Sequence, residues 1–248
     1  MVSVPEQITA NYGVFSTELP AQLTSNFAIF KDNPKLIESY ARIAALNAIK
    51  IDLVEPIFSK GAAQFFFEAH NDALLSHVNA SMGSWRPALQ SLRSFLENTL
   101  AAVYYQDHPV EFTKWESGAF RISPKELREY ICEHPLIVEL ANELDLKAIL
   151  DSEYAILSKA VHGSSSLFRM TSSNGKTNIA TAALPDLGKW ASRERETVNL
   201  CVVILVSVFK DQLDGAKLPG LRKALGIPLL SKSRSALKSK LGITIQAP

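Results

Sequence analysis

The sequence predicts an all-α protein: a compact helical bundle of five to eight helices with a basic C-terminal arm. Three observations carry this prediction. Apolar residues recur at steps of three and four along most of the chain, as in Trp85, Leu89, Leu92, Leu96, Leu100 and Val103. The alternating β-branched runs that a sheet would need are missing. Proline and glycine punctuate the periodic segments, at Pro34, Gly61, Gly83, Pro109, Pro124 and Gly163.

Residues 1–33 hold Pro5, Gly13 and Pro20 and are expected to form an N-terminal wrap or arm. Residues 34–214 read as one bundle and 215–248 as the basic arm. The first bundle helix carries Leu36, Tyr40, Ile43 and Leu46, and Glu55-Pro56 interrupts it. The next helix presents Phe65, Phe66, Ala69, Ala73, Leu74, Leu75 and Val78. Ser84 is placed to cap a helix ending near Asp107, with Pro87 in its first turn. Residues 109–123 read as a loop or short helix. Ser123-Pro124-Lys125-Glu126 is a capping box that opens another helix. A long or broken helix follows from Leu136 towards His162. Residues 163–185 read as a loop, with a small hairpin across Asn174-Gly175. A second long helix runs from Pro185 to Leu213, polar in its first half and apolar in its second, so only the second half is expected to be fully buried. LPGLRKALG is a short helix, and Ser231 is placed to cap a last basic one.

Composition excludes several classes. The chain has 248 residues, 47% of them apolar, and a formal net charge of +1, which excludes disorder as the dominant state. Two cysteines cannot build a disulfide framework or a four-cysteine zinc site. The longest apolar stretch, Leu200–Phe209, is about half of the ~20 residues that span a bilayer. The opening residues lack the pattern of a signal peptide. No membrane association and no cofactor are expected, and a reducing cytoplasm is the expected compartment. The charge is uneven: residues 1–214 balance to −6, whereas 215–248 hold seven basic residues and no acid.

One constellation carries chemistry. Tyr154, Ser158 and His162 follow one another at four-residue steps and share a helix face. A histidine at a helix C-terminus is suited to general acid–base work near neutral pH; alternatively it caps backbone carbonyls. On the Ser84–Asp107 helix, Arg86, Arg93 and Glu97 flank the apolar stripe. Arg93 can clamp a phosphate, or form a structural ion pair with Glu97. His70 and His77 lie two helical turns apart, too far to share a metal ion, and Cys201 reads as an inert core thiol.

The segments RPALQSLRSFLENTLAAVYYQDHP and YAILSKAVHG, followed by a long closing helix, resemble HEPN-like helical domains over roughly residues 60–213. The resemblance implies a bacterial defence or toxin protein, a metal-independent endoribonuclease that works as a homodimer. The family's signature is an arginine, four to six residues, then histidine. The matching positions before His162 are Ala155, Ile156 and Leu157, so the signature is degenerate there. Arg128 and His134 satisfy the spacing and form a second candidate pair. Two functions follow. One is an RNA-directed protein with His162, Arg93, Tyr154 and Glu97 as its site. Its nucleic-acid contacts would come from Arg86, Arg169, Lys217, Arg222, Lys223, Lys232, Arg234, Lys238 and Lys240. The other is a non-catalytic subunit that dimerises or binds a protein partner of the same system.

Overall fold

The structure, a computed structural model, describes residues 3–161, 170–171 and 177–248. Helix α1 spans Val4–Phe30. Ser3 and Glu6 close a capping box at its start, and Pro5 occupies the first turn. The expected wrap is instead one long helix through Pro20. That proline sits in an exposed stretch, where water can satisfy the carbonyl that loses its partner.

Asn33 caps α2 (Pro34–Ile49), which passes through a π-turn at Lys50–Val54 into the short α3 (Glu55–Ile57). Helices α4 (Lys60–Ser81) and α5 (Trp85–Asp107) then run back along each other. The α4 face turned to the core carries Phe66 among small residues, Ala62, Ala69, Ala73, Ser76 and Ala80, which permit close approach. Leu74, Leu75 and Val78 of the same apolar run are exposed on its outer side. The turn between the two helices needs Gly83, whose φ is +73° and whose added Cβ would sit 2.4 Å from Thr181 O.

Helices α6 (Pro109–Glu116) and α7 (Pro124–Glu133) follow, and α7 opens with the expected Ser123–Glu126 capping box. The long-or-broken helix is broken: Asp145, at φ 55°, separates α8 (Val138–Leu144) from α9 (Leu146–Val161). A Thr171–Thr177 antiparallel bridge flanks Asn174-Gly175, which itself lies outside the described residues.

Helix α10 (Leu184–Val208) is buried further towards its N-terminus than expected. One face of its polar half is sequestered because Trp190 donates to Ser76 Oγ (3.1 Å) and Glu194 pairs with Arg42 of α2 (2.6 Å). The last helices are α11 (Pro219–Gly226) and α12 (Ser231–Leu241). Ser231 does not cap α12; Leu230 holds the cap position, and its N–H donates to Asn199 Oδ1 (2.9 Å). The helical segments outnumber the five to eight expected because α1 is helical and the punctuating residues divide the chain finely.

The basic arm is corrected to a packed part of the bundle. Leu221, Leu225, Leu229, Leu237, Ile243 and Ile245 are buried, with α11 against α2 and α12 against α8 and α10. Alternating apolar residues between the lysines supply this contact, so the positive charge lies on the outer face of a docked segment. A Leu237→Ala change therefore costs about 2–5 kcal/mol of stability, read as a lowered urea midpoint. A free arm would show no change.

Burial holds His70 and His77 below their ordinary pKa of 6.5. A depressed folded-state pKa means that the stabilisation is present above pH 6.5 and is lost as the pH falls below it. The urea midpoint should therefore drop below pH 6.5, and the His70→Gln/His77→Gln variant should lose part of that slope.

Candidate functional site

Helix α5 turns its polar flank towards α9 and α7, and that seam brings together Arg93, Glu97, Tyr154 and Arg128. Arg93 Nε donates to Glu97 Oε1 (2.9 Å), and Arg93 Nη2 donates to the Tyr154 hydroxyl (2.6 Å). Arg128 of α7 lies over the other part of the same group, 4.0 Å from the Tyr154 ring centroid. Arg93 stands 4.8 Å from that centroid, so two guanidiniums share one aromatic ring. Arg128 Nε donates to Asp151 Oδ1 (2.7 Å) and its Nη1 to Pro124 O (2.8 Å). Arg93 Nη1 and Arg128 Nη2 have no protein acceptor among the described residues.

Burial and the neighbouring Glu97 carboxylate push the Tyr154 phenol above its ordinary range, so it stays neutral and keeps a proton to donate. One turn further along α9, the buried Ser158 hydroxyl has no hydrogen-bond partner among the described residues. Arg86 donates to Val161 O, the carbonyl just before His162 in the chain. His162 and Arg169 lie outside the described residues.

The second candidate pair is not one site. His134 is buried, its Nε2 lies 3.0 Å from Asp107 Oδ2, and its Nδ1 accepts from Leu136 N–H (3.1 Å). Tyr130 donates to the same Asp107 oxygen (2.7 Å), making a clasp between α7 and the end of α5. Arg128 serves Tyr154 and Asp151 instead. The basic C-terminal residues also divide. Arg222 donates to Lys217 O, Thr244 O, Leu213 O and Gly215 O, and Arg234 to Gly226 O and Leu229 O. Both therefore cap backbone, whereas Lys217, Lys223, Lys232, Lys238 and Lys240 remain at the surface. Burial raises the Cys201 thiol to about 12 and the Cys132 thiol to about 11, so both stay protonated and unreactive. Among the described residues no cluster of His, Cys, Asp and Glu could hold a metal ion.

A groove that sequence reasoning missed adjoins the seam at Glu97. One chamber, of about 430 Å³, is lined by Gln64, Phe65, Phe67, Glu68, Asn98 and Trp115. The next, of about 250 Å³, shares Phe65, Asn98 and Trp115 and adds Glu97 and Arg121. Its wall is an aromatic cluster in which Phe65 stacks on Tyr105 at 4.8 Å and Trp115 meets Phe65 at 4.8 Å. The signal was the aromatic content of residues 109–123, but only α6 docking beside α4 makes it a wall.

The Arg93–Tyr154 contact should show as energetic coupling. A double-mutant cycle with Arg93→Ala and Tyr154→Phe is expected to give about 0.5–1.5 kcal/mol in unfolding experiments, and additive effects would remove the bond from the account. Comparison with family models, with curated proteins and with solved structures finds no match for this chain.

Proposed function

We propose that this chain is a HEPN-like, RNA-directed protein of the kind found in bacterial defence and toxin systems, acting along the α5–α9 seam. One observation supports the reading: three arginines meet α9, Arg86 at Val161 O and Arg93 and Arg128 at a neutral Tyr154. In an RNA-cleaving step His162 takes the ribose 2′-hydroxyl proton, the 2′-oxygen attacks the adjacent phosphorus as the P–O5′ bond breaks, the leaving 5′-oxygen takes a proton from water, and the guanidiniums meet the charge that grows on the phosphate. Tyr154 orients Arg93. Arg169 and the exposed lysines of α11 and α12 add salt-dependent phosphate attraction.

A specific observation favours a second reading. Glu97 and Asp151 already pair with Arg93 and Arg128, which suits a structural seam in a non-catalytic subunit that binds a protein partner. Labelled RNAs separate the two. The wild-type protein is expected to cut RNA, and His162→Ala to lose about 10²–10⁴-fold of the rate. Equal inertness of both proteins on diverse RNAs would overturn the enzyme and leave the interaction subunit.

A further inference from the structure

Helix α1 carries an apolar stripe that changes environment halfway. Val4, Ile8, Tyr12, Phe15, Leu19, Leu23, Asn26 and Phe30 follow one another at steps of 4, 4, 3, 4, 4, 3 and 4, within one side of the helix. The last part of the stripe is docked. Phe30 is fully buried against Trp85, with ring centroids 5.9 Å apart, and Asn26 Nδ2 donates to Met82 O (3.0 Å). The first part is in solvent: Val4, Ile8, Tyr12 and Phe15 are 67, 62, 68 and 50% exposed. A helical stretch of about fifteen residues whose apolar stripe stands in solvent is marginal in water, because nucleation is costly and packing normally supplies the stability.

A receptor for such a stripe lies on the same chain. Beside the root of α1, a groove of about 230 Å³ runs between α1 and α2, lined by Phe27, Ile37, Tyr40 and His77. Phe27, Ile37 and Tyr40 are themselves 52, 60 and 61% exposed. The arm cannot fill its own groove, because α1 is one continuous helix that carries the stripe away from the root where the groove lies. Residues 3–30 contain Glu6 and Glu18 and no basic residue, while Lys31, itself 4.0 Å from the Asp32 carboxylate, stands at the groove.

We propose that α1 is an exchange arm: the Val4–Phe15 stripe of one chain lies in the Phe27/Ile37/Tyr40 groove of a second copy, and the second copy reciprocates. The contact is self-complementary, as a two-fold dimer requires. The exposed large apolar side chains of arm and groove together offer on the order of 800 Å² per chain, about what a stable interface buries on each side. The surface is built from α1 and α2 and is independent of the α5–α9 reading.

Sedimentation equilibrium of the full chain tests this. The wild-type chain is expected to be a dimer at micromolar concentration. Ile8→Asp/Phe15→Asp on the arm, and separately Ile37→Asp/Tyr40→Asp on the groove, should each give monomers. Circular dichroism and the thermal midpoint of the bundle, read in parallel, show that each variant is folded. A mixture of chains carrying only Phe15→Cys and chains carrying only Ile37→Cys should form a disulfide between copies. A wild-type monomer at 100-fold higher concentration, or a dimer indifferent to the arm substitutions, overturns the proposal. So does a dimer lost through the arm but untouched by the groove substitutions in folded protein, since another surface would then receive the stripe.

Discussion

Covering α5 is the constraint on which the rest of this structure depends. Fourteen of its 23 residues are buried, and they occur on more than one side of the helix. A helix buried that broadly needs neighbours on several faces. Helix α4 takes one side through its alanine and serine seam, α10 brings its apolar half to another, and α9 and α7 close the polar flank. The remaining helices then cover the coverers: α2 lies over α4 and α10, and α12 over α8 and α10.

Polar groups buried by this arrangement are mostly paired across helices. Arg42 and Glu194 join α2 to α10 in the interior, with side chains only 6 and 4% exposed. Removing either partner would strand a buried charge, so breaking the pair costs more than the intact pair adds over apolar residues of similar volume. Arg193 and Glu153 make a second link, between α10 and α9. The Arg93–Tyr154–Arg128 arrangement is less buried than the Arg42–Glu194 pair, with Arg93 and Arg128 side chains 21 and 12% exposed. Two guanidiniums on one aromatic ring, rather than one ion pair, distinguish it from an internal strut.

Local chemistry was legible residue by residue. The Ser123–Glu126 capping box, the Trp85–Val103 stripe and the two C-terminal helices are short-range statements, and each forms where its residues place it. Apart from the N-terminal wrap, which is a helix, and Ser231, which does not cap α12, the readings that failed concerned which face of a helix meets a partner. Leu74, Leu75 and Val78 belong to the apolar run of α4, yet its small residues made the closer seam with α5. Seven positive charges hid the leucines of the C-terminal segment, because charge is counted along the chain and burial is decided across it. Of the candidate site, Arg93, Glu97 and Tyr154 were found from helical spacing. Arg128 was singled out for its distance to His134, whereas its actual neighbours, Tyr154 and Asp151, come from another helix.

The sequence by itself determined that the chain is helical, where most of its helices begin and end, and which flank of α5 is polar. Those properties depend on residues three or four apart, whose contacts follow from the helix repeat alone. Only the tertiary structure decided that His134 belongs to a clasp on Asp107, that Arg222 and Arg234 hold backbone carbonyls, and that α1 leaves half its apolar stripe uncovered. Each of these depends on groups brought together from distant positions, or on the lack of such a group. The energy of a side chain there depends on what the fold places beside it, which spacing along one helix cannot specify.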